Sequence, residues 1–327
     1  IGAGIVFIIF SSPVIGADLG ETANFFVDSS YDWQNRTEIT ATLRKISNRA
    51  YFYIEDEYWN SLNQVQQDLY LDYLDTVAEN FDNITYPSVR YIFGSEWKPG
   101  IDNDEKITIL LTRLKSSAGG YFNSKDERPQ SQFSRSNERE MFYINATQID
   151  SSLIHSFIAH EFQHLISWNK KERLQGVAEE VWLNELRSEY APTIAGYDSK
   201  FMGTNLERRV IDFLANPFDS LTEWRGGRYD YPSVALFGQY LAEQFGEDIF
   251  SYMMENNKVG INSIEQALKD KGLNLSFSQV FNNWTVANYL NDRSLANGQY
   301  GYKNPYLKVT VNVSPITYSV VSASVIN

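Results

Sequence analysis

The feature that most constrains this chain is HEFQH, residues 160–164, which lies within an apolar segment. The surrounding stretch, DSSLIHSFIAHEFQHLISWNKK, contains no Pro or Gly and predicts a helix. Apolar residues cover nearly all of its sides, which indicates a buried helix. At the helical repeat, His160 and His164 lie one above the other, with Glu161 on the adjoining edge. Buried polar groups need partners, because an unpaired polar side chain in the interior is costly.

Metal binding explains the spacing of the two histidines. Two imidazoles one helical turn apart can bind one zinc ion from the same helix face, and Glu161 then stands beside the position where water binds. The chain has three His and no Cys, so disulfides, thiolate metal sites and cysteine nucleophiles are excluded. A chance match is improbable in a chain with so few histidines, and we therefore expect Zn²⁺ as the cofactor.

The third protein ligand should be an acid, because no histidine follows HEFQH. The segment AEEVWLNELRSEYAP predicts a second helix that ends at its proline. Glu185 and Glu189 share a face of this helix, and 20 residues separate Glu185 from His164, enough for a turn and a return. Glu179 and Glu180 are the rivals, but acids at a helix start usually act as caps or dipole partners.

The remaining histidine, His155, lies five residues before His160 and well off the metal face. We expect His155 to be a capping or packing residue rather than a ligand.

These motifs together resemble the gluzincin metallopeptidases, the group of thermolysin and the aminopeptidase N-like enzymes. WLNE, residues 182–185, is similar to the sequence that follows HExxH in the aminopeptidases, and NELRSE, residues 184–189, is similar to the thermolysin-like Asn-Glu-x-x-Ser-Asp. The resemblance is strong over residues 155–192. It implies that Glu185 is the third zinc ligand and that Glu189 orients His160, although Glu189 replaces Asp and the spacer is slightly longer than usual.

A zinc peptidase also needs a second donor for the oxyanion that develops on the substrate. A downstream histidine, as in thermolysin, is absent, so the resemblance to the aminopeptidases implies a tyrosine. Tyr229 and Tyr231 stand at the start of the helical segment GGRYDYPSVALFGQYLAEQFG, and Tyr231 fits the resemblance best. The chain has 21 tyrosines, so an ordinary packing role stays open for Tyr231.

The resemblance and the hydrophobic pattern predict an α+β fold of the zincin-like type. Residues 18–38 form a lead-in, residues 39–149 an N-terminal mixed α/β subdomain, and residues 150–300 a mainly helical subdomain with the zinc site. Residues 301–327 predict the start of a β-rich segment. Within the N-terminal part we expect a hairpin turning near Ser47, a strand at SVRYIFG, a long functional or mobile loop over residues 115–139, and an antiparallel edge strand within SNEREMFYIN.

The predicted location and partners follow from the N-terminus and the charge. Residues 1–17 end in IVFIIFSSPVIGA, which has the length of a signal-peptide core, so we expect a residual signal peptide and a secreted or extracytoplasmic protein. An uncleaved anchor and a buried strand are the alternatives, and no other segment approaches a membrane span. The net charge of −13 argues against nucleic acid and anionic membranes as partners.

The sequence thus predicts an exported zinc peptidase that acts on proteins or peptides, with Glu161 as general base. An endopeptidase is favoured over an aminopeptidase, because the chain lacks a convincing GAMEN-like motif for a free N-terminus, although SNERE at residues 136–140 could take that role. Two other functions stay open: a non-catalytic extracellular binding protein on the same fold, and a zinc hydrolase of non-peptide amides. Nothing in the sequence indicates the oligomeric state.

Overall fold

The computed structural model describes residues 16–307, 309 and 311, and the fold is α+β with one mixed sheet followed by helices. The predicted signal peptide lies almost wholly outside the described residues, as does most of the predicted β-rich segment at residues 301–327. Within the described range, no helix is both long enough and apolar enough to cross a membrane.

Six strands form the sheet, and its order in space is β1-β2-β3-β4-β6-β5. Their bounds are β1 (Thr22–Phe26), β2 (Glu38–Ile46), β3 (Ala50–Glu55), β4 (Ile107–Thr112), β5 (Gly120–Phe122) and β6 (Met141–Asn145). The pairs β3/β4 and β4/β6 are parallel and the other three are antiparallel. The predicted hairpin is confirmed as β2 and β3, closed by a bond from Ser47 N to Ala50 O of 2.9 Å.

The central strands are buried on both faces, as parallel strands usually are. All residues of β3, β4 and β6 are buried. Alternate side chains enter two apolar clusters, one on each face: Phe52, Ile109 and Phe142 face the helices, and Tyr53, Leu110 and Tyr143 face the other side. The helical half therefore packs on one face of the sheet.

The prediction that SNEREMFYIN contains the edge strand was wrong. Its strand, β6, lies between β4 and β5 and runs parallel to β4. Five consecutive buried residues are typical of an interior strand, not of an edge. The edge next to β6 is β5, which arises within the polar stretch 115–139 and was too short to be recognised from its sequence.

The helices fill the connections of the sheet and the whole second half. Their bounds are α1 (Asp56–Asn60), α2 (Gln64–Asn80), α3 (Tyr86–Phe93), α4 (Ile154–Ser167), α5 (Val181–Ile194), α6 (Asn205–Ala215), α7 (Asp230–Phe245), α8 (Ile249–Glu255), α9 (Gly260–Asp270) and α10 (Phe277–Leu290). Wider π-type turns extend α2 over Phe81–Thr85 and α4 over Trp168–Arg173.

Two sequence predictions for these helices were wrong. SVRYIFG is not a strand but the body of α3, whose buried Tyr86, Val89 and Phe93 recur at helical spacing. The helix of AEEVWLNELRSEYAP does not end at Pro192, because α5 continues to Ile194. Proline removes its own N–H from the helical bonds and crowds the carbonyl of residue 188, but Pro192 is buried and tertiary packing holds this segment in the helix.

Helix α4 lies between the sheet and the remaining helices. Its apolar side includes Phe162, whose ring packs edge-on against Phe81 at 5.4 Å between centroids. The helix also contacts β5, β6 and α5. Its histidine-bearing side faces α5 and β5, because Asn184 contacts His164 and Gly120 lies beside Glu161, and this arrangement positions the candidate site.

Candidate metal centre

The site forms where α4 and α5 pack against each other. His164 contacts Asn184 near the start of α5, whereas His160, one turn earlier in α4, contacts Glu189, one turn later in α5. The two helices therefore run antiparallel. This return of the chain brings the two halves of the predicted ligand set together, as the 20-residue spacer predicted.

Three predicted ligand residues converge on one point. The Nε2 atoms of His160 and His164 are 3.1 Å apart. Oε2 of Glu185 lies 3.2 Å from Nε2 of His160, and Oε1 lies 3.5 Å from Nε2 of His164. Donor atoms held at about 2.0–2.1 Å by a tetrahedral zinc ion lie about 3.3–3.4 Å from one another. The spacing therefore fits one zinc ion.

The polar atoms of the site also fit a metal. Oε2 of Glu185 is buried and has no hydrogen-bond partner among the described residues, although it lies 3.2 Å from Nε2 of His160. An orphaned carboxylate oxygen inside a protein requires an explanation, and a cation supplies one. His160, Glu161 and His164 also have donor atoms within 4.8 Å of one another. The Glu185 carboxylate lies 3.2–3.5 Å from both Nε2 atoms, so Glu185 can complete a ligand set with the two imidazoles while Glu161 stands beside it.

Glu189 lies behind His160, as the resemblance implied. Oε1 of Glu189 is 3.4 Å from Nδ1 of His160. The same carboxylate receives hydrogen bonds from Arg209 Nη2 (2.6 Å), Arg209 Nε (2.7 Å) and Asn205 Nδ2 (2.9 Å). The longer side chain of Glu, compared with Asp, therefore still reaches the imidazole. A carboxylate on the far nitrogen fixes the tautomer that leaves Nε2 free for a metal.

His164 has its own partner on the far side of the ring. Its Nδ1 lies 3.1 Å from Ser188 Oγ, which itself donates to Gln163 Oε1 at 2.5 Å. Because the serine proton is directed to Gln163, the Ser188 oxygen is free to accept from Nδ1–H of His164. The Asn184 side-chain amide also lies 3.1 Å from Nδ1, and it accepts from the same Nδ1–H when its oxygen is the atom turned towards the ring. The arrangement leaves Nε2 of His164 facing Glu185.

The charges around the site favour a cation. Burial opposes a charge on His160, but Glu185 and Glu189 overcome this and raise the pKa of His160 to about 10. Burial alone would raise the pKa of Glu185, yet His164 and His160 lower it to about 2. The pKa of Glu161 is raised, chiefly by burial. The carboxylates therefore favour a positive charge at the two imidazoles. Burial also makes Glu161 bind a proton more tightly than an exposed carboxylate does.

The ligand set opens onto a cleft of about 860 Å³. One wall is the edge strand β5 with the residues before it, and another is the start of α7 with Tyr231. Glu161 lies beside β5, because a Cβ placed on Gly120 would be 2.9 Å from its Cγ. The volume lies within the range of ligand-binding clefts, about 300–1,000 Å³.

Of the two tyrosines considered for the oxyanion, Tyr231 lines this cleft and Tyr229 does not. The ring of Tyr231 packs edge-on against Trp224 at 4.9 Å and lies 4.5 Å from the Arg209 guanidinium. Burial, Glu185 and Glu189 raise the pKa of Tyr231 well above its usual range. The phenol therefore stays protonated at neutral pH and can donate a hydrogen bond.

The other acids and the third histidine lie outside the site. His155 stacks on Tyr197 at 5.4 Å between ring centroids, which agrees with a packing role. Glu179 pairs with Arg187 at 2.8 Å and accepts from Gly260 N at 2.7 Å. Glu180 accepts from Trp182 Nε1 at 2.6 Å. Neither rival acid is therefore free to act as a ligand.

Sequence reasoning missed several residues of the site. Arg209, Ser188, Tyr31 and the glycine pair 119–120 all contact the ligands or line the cleft. AGGYF within the polar stretch was a signal, because adjacent glycines before an apolar pair permit a close approach of backbone to another element. The sequence around Arg209 gave no such signal, because only the packing of α6 brings Arg209 into contact with Glu189.

Comparison with protein families and curated proteins does not indicate a family for this chain. No protein-family model matches the chain, and no curated protein matches it.

Proposed function

We propose that this chain is a zinc-dependent peptidase of the gluzincin type with a zincin-like catalytic layout. The observation that carries the proposal is the convergence of both HEFQH imidazoles and the Glu185 carboxylate at 3.1–3.5 Å, next to Glu161 in an open cleft. A zinc ion bound by His160, His164 and Glu185 would supply a Lewis acid that polarises a carbonyl and makes water nucleophilic near neutral pH.

Glu161 is the proposed general base. Its carboxylate takes a proton from the attacking water and then gives it to the departing amine nitrogen. The raised pKa of Glu161 supports this role, because proton transfer is most efficient when the pKa of the catalytic group approaches the working pH. A purely structural metal site would have no use for a buried carboxylate at this position.

Tyr231 is the proposed oxyanion donor. Its neutral phenol lines the cleft that contains the ligands, and it can donate to the carbonyl oxygen as negative charge develops there. The contacts with Trp224 and Arg209 hold the ring in place before substrate binds. Such preorganisation is what makes a donor effective in a transition state.

The proposed substrate is an extended peptide or protein segment. Strand β5 pairs with β6 on one side, and in the described part of the chain its other side has no strand partner. Residues 118–122 line the cleft beside Glu161. An extended peptide can add to such an edge through main-chain hydrogen bonds. Export remains a prediction that rests on residues 1–17.

The decisive experiment compares purified parent protein with Glu161→Gln. We expect the parent to bind one zinc and to cleave casein, and the variant to keep its zinc while cleavage falls by about 10²–10⁴-fold. Glu223→Gln is the matched control, because Glu223 pairs with Arg225 on the surface. A parent that binds zinc without cleaving any peptide would favour the non-catalytic binding protein, and cleavage of cell-wall amides alone would favour the non-peptide hydrolase.

A further inference from the structure

The side of the cleft formed by α6 and the start of α7 carries three arginines, and two of them are paired with acids. Arg209 pairs with Glu189, and Arg228 pairs with Asp212. The third, Arg208, forms no ion pair with any residue that the structure describes. This side of the cleft therefore has one uncompensated positive charge, in a chain whose formal net charge is −13. A local excess of one sign of charge in a cleft selects ligands of the opposite sign.

The guanidinium of Arg208 is held by the contacts that also position His160. Nη2 of Arg208 donates to Asn205 Oδ1 at 2.7 Å. The orientation of this amide is set from its other end, because Asn205 Nδ2 donates to Glu189 Oε2 at 2.9 Å. Glu189 in turn lies 3.4 Å from Nδ1 of His160. One bond thus orients the planar guanidinium of Arg208, and within the described part of the chain its remaining N–H groups stay available for a ligand.

Arg208 also lies close to the first predicted zinc ligand. Its guanidinium carbon is 5.9 Å from the ring centre of Phe157, which precedes His160 by three residues on α4. The same ring lies against Gly119, where an added Cβ would come within 2.7 Å of it, and Gly119 directly precedes the edge strand β5. A peptide that adds to β5 therefore brings the side chains next to its scissile bond close to Phe157 and Arg208.

A carboxylate is the group that fits these donors. The guanidinium fork binds a carboxylate through two parallel N–H···O bonds, and such charge-assisted bonds are stronger than neutral ones. The other two acids of the cleft lining, Glu161 and Glu185, stand at the candidate metal centre and form no ion pair with Arg208. A peptide supplies carboxylates from its Asp and Glu side chains and from its C-terminus.

We propose that Arg208 determines which peptides the cleft accepts, by binding a substrate carboxylate next to the scissile bond. The carboxylate belongs either to an Asp or Glu side chain or to the C-terminus of the peptide. The inference rests on the proposed function and adds to it a preference for acidic substrates.

The test compares short blocked peptides that differ only by Glu or Gln at one position, scanned along the sequence, as substrates of the zinc-loaded full chain. At one position we expect kcat/KM for the Glu peptide to exceed that for the Gln peptide about 10–100-fold, because only Glu forms a charge-assisted pair. Peptides with a free or an amidated C-terminus separate the two sources of the carboxylate. Equal cleavage within every Glu/Gln pair and of both C-terminal forms overturns the proposal.

Variants of Arg208 locate the preference. Arg208→Gln should abolish it, and Arg208→Glu should reverse it in favour of Lys at the same position. Arg208→Lys should keep part of it, because the charge remains but the fork is lost. Arg135→Gln is the matched control, since Arg135 is exposed and lies outside the cleft lining, and it should discriminate as the parent does. If Arg208→Gln kept the preference of the parent, the carboxylate would bind elsewhere and the proposal would be wrong.

A binding measurement separates this proposal from the proposed function. Glu161→Gln, which should bind peptides without cleaving them, is titrated with fluorescent Glu and Gln peptides, alone and in combination with Arg208→Gln. We expect the Kd of the Glu peptide to be about tenfold lower than that of the Gln peptide in Glu161→Gln, and the two values to be equal in the double variant. If the parent cleaved no peptide but this difference in Kd were found, the peptidase would be refuted and the role of Arg208 supported. Equal Kd values in Glu161→Gln would overturn the role of Arg208.

Discussion

Nδ1 of His160 lies 3.4 Å from Oε1 of Glu189, and this carboxylate is itself held by both Nη2 and Nε of Arg209. Glu189 therefore connects the ligand helix α4 to α6 through Arg209. The chain of contacts fixes the imidazole from behind, so that Nε2 points towards Glu185. Positioning of this kind acts on metal affinity, because the ligand is held in its binding orientation before the metal arrives.

Glu189→Gln is therefore predicted to weaken zinc binding and stability together. The zinc dissociation constant should rise about 10–100-fold, since the imidazole loses its oriented carboxylate partner. Arg209 is left buried without its carboxylate, which should lower the free energy of unfolding by about 3–5 kcal/mol. Competition with a chromophoric chelator and chemical unfolding measure the two effects.

Glu223→Gln provides the comparison for Glu189→Gln, because it removes a carboxylate from an exposed arginine pair. Glu223→Gln should leave both the zinc dissociation constant and the free energy of unfolding unchanged within measurement. If Glu189→Gln lost stability but kept full zinc affinity, Glu189 would only hold Arg209 and would not orient His160.

Tyr231→Phe is predicted to slow catalysis without loss of zinc. The change removes one hydroxyl and keeps the ring between Trp224 and Arg209. If the phenol stabilises the oxyanion, kcat should fall about 10²–10³-fold while KM changes little. Tyr229→Phe is the matched control, because Tyr229 is 38% exposed and lies outside the cleft lining. If Tyr231→Phe were as active as Tyr229→Phe, the oxyanion would be stabilised by a donor other than Tyr231.

Much of the candidate metal centre could be predicted from the sequence, because the positions of its side chains depend on local geometry. The spacing within HEFQH fixes which atoms share a helix face, and the absence of later histidines left an acid as the third ligand. Glu185 and Glu189 follow from a second helix of known period. The positions of these side chains depend on helical geometry and on one antiparallel packing of two helices, and a sequence pattern can specify both.

The strand order could not be predicted in the same way. Residues 140–145 read as a strand, but their neighbours depend on which segments pair across long distances. β5 has three residues, too few to give an alternation that distinguishes it from a loop. The burial of Glu127 and Glu140, each 2% exposed, was also beyond prediction, since it results from the packing of loops that carry no periodic pattern.

Gly120→Ala is predicted to disturb the edge strand and Glu161 together. An added Cβ would lie 2.6 Å from Tyr143 O and 2.9 Å from Glu161 Cγ, so either the strand or the Glu161 side chain must move. We expect a loss of about 1–3 kcal/mol in unfolding free energy and reduced kcat with zinc retained. Gly238→Ala is the comparison, because its nearest contact is the rotatable Leu186 Cδ2 at 3.3 Å. Full activity of Gly120→Ala would show that Glu161 tolerates this displacement.

The chain next to the cleft is held by an ion pair between the buried Asp32 and the partly exposed Arg36. Asp32 is 1% exposed and accepts from Gln34 N at 2.9 Å and Arg36 N at 2.8 Å. The Arg36 guanidinium lies 2.7 Å from Asp32 Oδ2 and also reaches Glu55 at 2.6 Å. Burial alone would raise the pKa of Asp32, but the bonds from Arg36 outweigh it and lower the pKa.

Asp32→Asn is therefore predicted to destabilise the protein in a pH-dependent way. A carboxyl whose pKa is lower in the folded state than in the unfolded state adds stability above the unfolded pKa of about 3.9 and loses it as the pH falls through the folded value. At pH 7 the variant should be about 1–3 kcal/mol less stable, with a smaller difference below pH 4. Urea unfolding at pH 7, 5 and 3.5 measures this, with Asp75→Asn, in an exposed pair with Lys45, as control. A difference that stayed constant down to the lowest pH would mean that hydrogen-bond geometry, not the charge on Asp32, stabilises this turn.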